Sequence, residues 1–385
     1  MKESLYQHFE ILEDPRSNIG KRHELINIII MSIYGILVGQ TDCVSIADFI
    51  KIKEDYFIEL LNLENGVPSH DTLSRVFGVI NPKEFMNIFI EWIKTVVKDK
   101  GKFLNIDGKA VRSATSKINN GNIPYIVSGF IADLGVSIGQ VKVDDKSNEI
   151  TAIPELLDLI DIEGLTVTID AIGTQENIAN QIVDKNAHYV LKVKDNQKDL
   201  KDDIKTYFDL GLKELNNDEI KPYITSFEKD HGRIEQREYY LSYNTDCIHN
   251  KEKWKSVNAI AFVRTYREEI DKVDKKGNPL INISEDYFII DNKINLDYLV
   301  KALRSHWSIE CSLHWRLDVI FDEDHSRSRI GDSIENLSAL RKIVFNLVRL
   351  DTSLGSKISV RKKLTNYTFN FKLIENLLFK VIPSL

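Results

Sequence analysis

The chain has 385 residues, more than one hydrophobic core usually serves, so two or three structural units are expected. With 43% hydrophobic and 28% charged residues, it has the composition of an ordinary soluble globular protein. Its formal net charge of −7 excludes a protein that coats nucleic acid through bulk positive charge, so any contact with DNA has to be local.

Several features of the sequence predict a cytoplasmic location. The longest apolar stretch, Leu25–Val38, is interrupted by polar residues and is shorter than the roughly 20 residues that a membrane span needs. The chain also opens without the basic and apolar leader of a secreted protein. Cys43, Cys247 and Cys311 follow no disulfide pattern or zinc-ligand spacing, so we expect reduced, structural cysteines. No membrane partner is predicted.

Residues 1–98 are predicted to form an all-α domain, because apolar residues recur there at helical spacing. A segment within it that resembles part of a helix-turn-helix makes it the candidate DNA-binding domain. Within it, Pro68 followed by Ser69 predicts the start of a helix. Thr72 and Arg75 on this helix are candidate DNA contacts if it acts as the second helix of a helix-turn-helix. The alternative is a core helix with an incidental Arg, and the two interpretations carry similar weight.

From Lys102 onward, short apolar runs predict a sheet. Three antiparallel strands joined by tight turns at Asn119–Asn122 and Asp133–Gly135 come first, and helices then alternate with strands. This succession is that of the ribonuclease H-like fold, a mixed α/β class. The predicted elements are strands 103–106, 125–131 and 136–143, helix 153–160, strand 165–169, helix 174–184 and strand 188–193.

The rest of the chain is predicted to contain a β-rich insertion followed by long helices. After a helix at 200–210, strands are expected at 239–243, 257–265 and 287–290, with a turn at Lys276–Pro279. Helical patterns cover 296–320 and 334–350, and the basic stretch Arg361–Lys363 is expected to be a solvated face. The predicted division is 1–98 for the helical domain, 99–212 with 292–350 for the ribonuclease H-like core, 213–291 for the insertion and 351–385 for a C-terminal tail.

Two aspartates stand where apolar strands end. Asp107 follows Phe103–Ile106 and precedes Gly108, which lets a backbone or a ligand come close, and Asp170 follows Leu165–Ile169. A carboxylate in such a position is costly unless it is hydrogen-bonded or binds metal. If the strands are neighbours, the two acids would repel each other without a cation. Two independent turn or cap aspartates remain the alternative.

A third acid lies on the predicted helix 296–320. Helical spacing aligns His306, Glu310 and His314 on one stripe, beside Trp307 and Trp315, which are expected to be core residues. The spacing is not that of a zinc protease. Hard oxygen ligands from two Asp and one Glu suit Mg²⁺ or Mn²⁺, whereas a salt-bridged core helix is the alternative.

The motifs that carry a family resemblance are Asp-Gly-Lys at 107–109, Ile-Asp-Ala at 169–171 and the stretch 306–319 followed by Glu323–Arg327. Together they resemble the DDE transposases of the ISAs-type insertion sequences, the H-repeat-associated proteins. The likeness extends over nearly the whole chain. Further landmarks are Asp14–Arg16 with Lys21–His23, Pro68–Thr72, Lys194–Gln197 and His231–Glu235.

This resemblance implies a ribonuclease H-like core with a β insertion, and Asp107, Asp170 and Glu310 as catalytic ligands of two Mg²⁺ or Mn²⁺ ions. The implied partners are the terminal inverted repeats of the element, target DNA and a second copy of the chain in a synaptic complex, with the nucleoid as the place of DNA binding. His306 and Leu317 stand near where the wider transposase signature has Arg and Lys. Auxiliary roles are therefore assigned to residues of the same helix, namely Arg304, His306, His314 and Arg316.

Cations and amides near the predicted strand ends are candidate DNA contacts, with a solvated helix start as the alternative. They are Lys109, Lys192, Lys194, Asn196, Gln197 and Arg233. The sequence thus predicts a transposase that cleaves element ends and joins them to target DNA. A catalytically silent DNA-binding descendant and a metal-dependent nuclease without strand transfer are the alternative functions.

Overall fold

The computed structural model describes residues 4–17, 21–114, 123–143, 148–213, 222–225, 227–230, 233–273, 279–355 and 357–380. The chain divides into two compact units, in agreement with the number expected from its length. Unit 1 comprises Met1–Gly101, Asp107–Asp161 and Ser308–Leu385, and unit 2 comprises Lys102–Ile106 and Ile162–Trp307. The predicted division into four functional parts stays a prediction.

Unit 1 begins with the predicted helical region. Its helices are α1 (Leu5–Glu10), α2 (Leu25–Leu37), α3 (Cys43–Ile52), α4 (Glu54–Leu61), α5 (His70–Val79) and α6 (Pro82–Val96). The predicted start of α5 is confirmed, because the Ser69 side chain accepts a hydrogen bond from the Thr72 N–H and so satisfies a donor at the helix end. Asn81 caps α6 in the same way, with Pro82 in the first turn.

The core of unit 1 is organised around one helix. The later helices of the unit are α7 (Glu149–Leu159), α11 (Trp315–Val319), α12 (Ser333–Leu350), α13 (Val360–Phe369) and α14 (Phe371–Phe379). All but two residues of α12 are buried, which is typical of a helix enclosed on every side. Polar side chains of α12 find hydrogen-bond partners within the protein. The Asn346 amide, for example, accepts from the Ser137 N–H and donates to the Ser137 carbonyl.

One residue of the basic stretch Arg361–Lys363 contradicts the expectation of a solvated face. Arg361 and Lys362 are exposed, but Lys363 is buried. Its ammonium donates to the carbonyls of Val348 and Asp351. Carbonyls at the end of a helix lack hydrogen-bond partners within the helix. The hydrogen bonds that Lys363 donates to such carbonyls compensate for the loss of its hydration when it is buried.

The strands of unit 1 follow the predicted meander. β1 (Phe103–Ala110) contributes its second half to this unit, and β2 (Tyr125–Ile131) pairs antiparallel with β3 (Val136–Lys142). The predicted turn before β3 is confirmed, with Gly135 at a φ of +68°, a conformation that favours glycine. The turn predicted at Asn119–Asn122 lies outside the described residues.

Unit 2 is built on a mixed sheet. To the first half of β1 it adds β4 (Thr166–Ile169), β5 (His188–Val193), β6 (Tyr223–Ile224), β7 (Glu228–Asp230), β8 (Arg233–Ser242), β9 (Ala259–Val273) and β10 (Pro279–Ile290). Its helices are α8 (Glu176–Asp184), α9 (Lys198–Lys213) and most of α10 (Leu296–Ser308). The strand order in this unit is β1-β4-β5-β10-β9-β8-β6, with β7 paired to β8. The first three strands are parallel, and the other pairs are antiparallel.

The predicted fold class is confirmed. Along the chain, β1, β2 and β3 are followed by α7, β4, α8 and β5, which is the predicted ribonuclease H-like succession. The helix before β4 begins at Glu149 rather than Ile153, because Asn148 caps it by accepting from the Ile150 N–H. The strands predicted after α9 are present, although the turn predicted at Lys276–Pro279 lies outside the described residues except for Pro279.

Two smaller expectations concern cysteines and membranes. The three cysteines are free as expected, but only Cys43 is buried, whereas Cys311 is exposed. None of the helices in the described ranges combines the length and apolarity that crossing a membrane requires.

Candidate active site

The predicted aspartates follow the last paired residues of two parallel strands. In unit 2, β1 and β4 run side by side in register from Phe103 opposite Thr166 to Ile106 opposite Ile169. Asp107 and Asp170 are the next residues of the chain after this last pair. The prediction that Asp107 follows the end of its strand is wrong, because β1 continues to Ala110, whereas Asp170 does follow β4. The side chains of the two aspartates are 20% and 50% exposed, so both remain within reach of solvent.

Asp170 is held as an anion within unit 2. Its Oδ1 lies 3.7 Å from the Lys194 ammonium, which is itself half exposed. Burial alone would raise the pKa of Asp170, but the Ala171 N–H and the charges of Lys194 and Lys192 outweigh it and lower that pKa. The carboxylate is therefore ionised at neutral pH and can serve as an oxygen ligand.

Two residues that are predicted DNA contacts hold the loop that follows Asp170. The Asn196 amide donates to the Ala171 carbonyl at 2.8 Å, and the Gln197 amide donates to the Thr174 carbonyl at 3.1 Å. The Thr174 hydroxyl in turn donates to the Lys192 carbonyl at 2.6 Å. These bonds fix the backbone that follows the carboxylate, a positioning role that the sequence did not reveal.

The other predicted cations of unit 2 are engaged with acids. The Lys192 ammonium lies 2.8 Å from a carboxylate oxygen of Asp286. Arg233 pairs with Glu235 at 3.2 Å, and Arg304 pairs with Glu228. Of the four, Lys194 alone has the candidate ligand Asp170 as its recorded ion-pair partner. His231 and Gly232, part of another predicted landmark, lie outside the described residues.

A buried polar network lies under Asp170 in unit 2. The Asn105 amide donates to the Thr168 hydroxyl at 2.7 Å and to the Ser305 hydroxyl at 3.1 Å. The Thr168 hydroxyl oxygen lies 2.9 Å from His306 Nδ1. Asn105 and Thr168 stand opposite each other in the register, so the network joins β1, β4 and α10. A buried network of this kind specifies one arrangement of the elements it joins.

His306 is neutral in this setting. Burial lowers its pKa to about 4, although Asp170 acts in the opposite direction. The network is satisfied when the Thr168 hydroxyl donates its proton to Nδ1, which places the ring proton on Nε2. His306, expected near where the wider signature has Arg, therefore carries no charge in this setting.

This depressed pKa predicts a loss of stability in acid. In the unfolded state His306 becomes protonated as pH falls below its ordinary pKa of 6.5. In the folded state it becomes protonated only near pH 4, so acid favours the unfolded state. Between pH 7 and 4, wild type should lose about 1 to 3 kcal/mol relative to His306→Asn, which retains an acceptor for Thr168. Urea denaturation across this range measures the difference.

The control for this measurement is His325→Asn, which should shift in the opposite direction. His325 is exposed, and Asp322 raises its pKa, so this pair stabilises the fold below the ordinary pKa and its contribution is lost as pH rises. A wild type and a His306→Asn variant that lose stability in parallel would contradict the neutral assignment of His306.

In unit 1, Asp107 faces a buried histidine. Its Oδ2 lies 3.5 Å from Nδ1 of His314, whose side chain is 11% exposed. The close approach predicted at Gly108 involves the Tyr125 ring, since a Cβ at residue 108 would lie 2.2 Å from a ring carbon. Both contacts restrict how the chain leaves Ile106 and thereby where the Asp107 carboxylate points.

The helix that carries Glu310 departs from the predicted geometry. Ile309–His314 forms a π-helical turn in which the Trp315 N–H donates to the Glu310 carbonyl, five residues back. The α-helical spacing that would align His306, Glu310 and His314 therefore does not hold. Glu310 is exposed and His314 is buried. Turns of this kind occur frequently at functional sites.

Both tryptophans on this segment contradict the expectation of core residues. Trp307 is 56% exposed and Trp315 is 55% exposed. An α-helical pattern assigns faces through its period, and the inserted π turn changes that period between the two rings. The residues that fill the core here are Ile309, Leu313 and Leu317.

Lys109, a predicted DNA contact, lies in a cluster of acids within unit 1. Its ammonium is 2.6 Å from Asp318, 3.1 Å from Glu323 and 3.0 Å from Asp324, and its side chain is 10% exposed. Burial lowers the pKa of Lys109, but the three carboxylates outweigh it and raise that pKa. Lys109 thus ties the chain just after Asp107 to the segment 318–324.

Glu323 continues this cluster into the core. It is 1% exposed and accepts a hydrogen bond from the Ser338 hydroxyl at 2.8 Å. Burial alone would raise its pKa, but the charges of Lys342, Lys109 and Arg341 outweigh it and lower the pKa to about 2. Glu323 is therefore a buried anion that joins the segment after α11 to α12.

The cations on α12 have their own partners. Lys342 donates to Gln140 at 2.7 Å and to Ser338 at 2.9 Å, and Arg341 donates to the Thr41 carbonyl at 2.8 Å. The sequence offered one signal for this network, since Glu323 belongs to a family landmark. Its buried position could not be predicted, because its cationic partners on α12 are separated from it in the chain.

The donor chemistry of the three predicted carboxylates fits a divalent cation, since hard oxygen ligands suit Mg²⁺ and Mn²⁺. Among the residues that the structure describes, no group of three or more His, Cys, Asp or Glu side chains is arranged to hold a metal ion.

Comparisons with known proteins cover almost the whole chain. The family model described as Transposase DDE domain matches residues 107–347, and the one described as DDE_Tnp_1-associated matches residues 6–93. "Putative protein YbfL" and "H repeat-associated putative transposase YhhI", both of Escherichia coli (strain K12), are each 34% identical over 362 residues. Each of these alignments covers 94% of this chain and 93% of the relative.

A solved structure, the piggyBac transposase synaptic complex with hairpin DNA, aligns over 97% of this chain and 76% of its own. Its TM-score of 0.42 and 12% identity are too low to support an argument. The family match spans more than half of the chain, and the relatives named above are similar along almost all of it. The chain therefore belongs to the DDE transposase family, of the H-repeat-associated type.

Proposed function

We propose that this protein is a DNA transposase that cleaves the ends of an insertion sequence and joins them to target DNA. Asp107, Asp170 and Glu310 would together hold two Mg²⁺ or Mn²⁺ ions. The observation that carries this proposal is the register of β1 and β4, since Asp107 and Asp170 each follow the last pair, Ile106 and Ile169. The paired part of the two strands ends at this point, so the two carboxylates would be presented at the same end of the ladder.

Family membership implies an enzyme of the polynucleotidyl-transferase type and dependence on divalent metal in general. When bound, divalent cations supply charge neutralisation at the phosphate and activation of the attacking oxygen. Positioning and electrostatic stabilisation account for most of the catalysis of phosphoryl transfer. The carboxylates therefore need a supporting structure that holds them in place before DNA arrives.

The chain's own residues provide that support. Asn196 and Gln197 fix the loop after Asp170, while Lys194 keeps the carboxylate ionised and can also reach a DNA phosphate because it is half exposed. Lys109 fixes the backbone just after Asp107. We assign Lys109 this positioning role in preference to a DNA contact, whereas a DNA contact by Arg233 stays a prediction.

His306 and His314 complete the support. His306, neutral and bonded to Thr168, secures α10 against the strands that lead to the aspartates. His314 lies beside Asp107 and restricts the orientation of that carboxylate. Arg304 pairs with Glu228 in unit 2, and Arg316 donates to the Ser312 carbonyl, so both cations have partners near their own helix.

The test is an assay with purified protein on labelled DNA that carries the element's own inverted repeats. With Mg²⁺ or Mn²⁺ we expect cut ends and products in which an end is joined to a second DNA, and EDTA should abolish both. Ends that are cut but never joined would indicate a nuclease instead. Binding without any cut product would indicate a catalytically silent descendant. Formation of a two-end complex would support action as a homodimer.

A further inference from the structure

A basic groove opens in the helical region of unit 1. It has a volume of about 630 Å³ and lies between residues 16–17 and 21–23, the end of α3 with the start of α4, and α5. Five Lys or Arg side chains line it together with a single carboxylate, in a chain whose net charge is −7. They are Arg16, Lys21, Arg22, Lys51 and Arg75, with Glu54 as the acid.

The cations of the groove fall into two groups. Arg16 and Lys21 both pair with Asp14, at 2.6 and 2.9 Å, and Arg16 also donates to the His23 carbonyl. Lys51 pairs with Glu54. These ion pairs fix the walls of the groove, and the first of them orders the predicted landmark Asp14–Arg16.

Arg22 and Arg75 form the second group. Both are exposed, and within the described ranges neither has a carboxylate at ion-pair distance. The Arg75 Nε donates to the Asp71 carbonyl at 3.3 Å, which aligns the guanidinium along α5. The Arg22 carbonyl accepts from the Asn65 amide at 3.1 Å, which holds its backbone against the opposite wall.

The charged side chains that line the groove are mostly cationic, and they act on a histidine among them. Burial lowers the pKa of His23, and the charges of Arg22 and Arg16 lower it further. Cations that lower the pKa of a neighbouring histidine also disfavour a further positive charge at that place and favour an anion. The groove also has hydroxyl donors, since Ser69 and Thr72 line it.

From this geometry we infer that the groove binds the sugar-phosphate backbone of DNA, with Arg22 and Arg75 as its phosphate contacts. The inference rests on the proposed function, because DNA is the polyanion that a transposase handles. It deepens that proposal by assigning α5 to backbone binding along a groove. Contacts of this type fix the register of a protein on DNA and contribute affinity that does not depend on base sequence.

The experiment compares two double variants of the full chain that change net charge equally. Arg22→Glu with Arg75→Glu reverses the free cations of the groove. Arg361→Glu with Lys362→Glu reverses two exposed cations at the start of α13 and serves as the matched control. Binding to a fluorescein-labelled duplex of arbitrary sequence is followed by anisotropy in EDTA, between about 50 and 200 mM salt.

The groove variant should lose about tenfold or more in affinity for the duplex. The slope of the logarithm of its binding constant against the logarithm of salt concentration should become shallower by about one for each lost phosphate contact. The control should bind within about threefold of wild type. Unchanged affinity of the groove variant would overturn the inference, and is the result expected if the groove holds an acidic protein segment. An equal loss in both variants would also overturn it, because the loss would then follow from net charge alone. EDTA keeps this test separate from strand cleavage, so either proposal can fail alone.

Discussion

Asp170→Asn should reduce strand cleavage by at least about 10³-fold, with DNA binding kept close to the wild-type level. The substitution preserves size and hydrogen bonding but removes the anion that Lys194 and the Ala171 N–H stabilise. Asp107→Asn and Glu310→Gln should have effects of the same order, because each removes a proposed oxygen ligand. Cleavage is measured on element ends in the presence of Mg²⁺ or Mn²⁺, and binding is measured on the same DNA in EDTA.

The matched control is Asp297→Asn, an exposed carboxylate in the first turn of α10. It should cleave at the wild-type rate. Any of the three site variants that cleaves as fast as this control would remove its residue from the proposed site. A variant that loses cleavage and binding together would instead indicate a defect in folding, which circular dichroism and thermal unfolding would detect.

Glu323→Gln should lower the free energy of unfolding by about 3 to 5 kcal/mol, the usual cost of removing one partner of a buried ion pair. Glu323 is fully enclosed and balances Lys342, Lys109 and Arg341, so its loss leaves buried cations without compensation. Urea denaturation at neutral pH measures the effect. Asp324→Asn is the control, since that acid also pairs with Lys109 but is partly exposed and should cost about 1 kcal/mol or less.

Two further measurements test the electrostatic origin of this effect. The double variant Glu323→Leu with Lys342→Met removes anion and cation together and should recover part of the lost stability. Because the folded-state pKa of Glu323 is about 2 and its ordinary value is 4.5, its contribution is complete above pH 4.5 and is lost as pH falls towards 2. Two results together would show that Glu323 acts through packing: a double variant as unstable as Glu323→Gln, and a Glu323→Gln variant that loses stability in acid as wild type does.

Local patterns predicted most of the architecture. The buried runs before Asp107 and Asp170 became the parallel pair β1 and β4, and the long apolar pattern near the C-terminus became α12. These predictions succeeded because strand and helix periods are properties of neighbouring residues. The end of β1 was predicted wrongly, because the strand continues through Asp107 to Ala110. The π turn at Ile309–His314 could not be predicted, because it keeps the composition of an α-helix and changes only the hydrogen-bond register.

The amino-acid sequence by itself determined the family, the order of strands and helices, and the candidate acids Asp107, Asp170 and Glu310. Only the tertiary structure decided which cations pair with each acid and which amides hold the backbone beside it. Lys109 donates a hydrogen bond to Asp324, which is 215 residues away in the chain. Asn196 donates to the Ala171 carbonyl, directly after Asp170. The physical reason is that the partner of a charged or polar side chain depends on which distant segments burial brings within a few ångströms, and no local pattern encodes that distance.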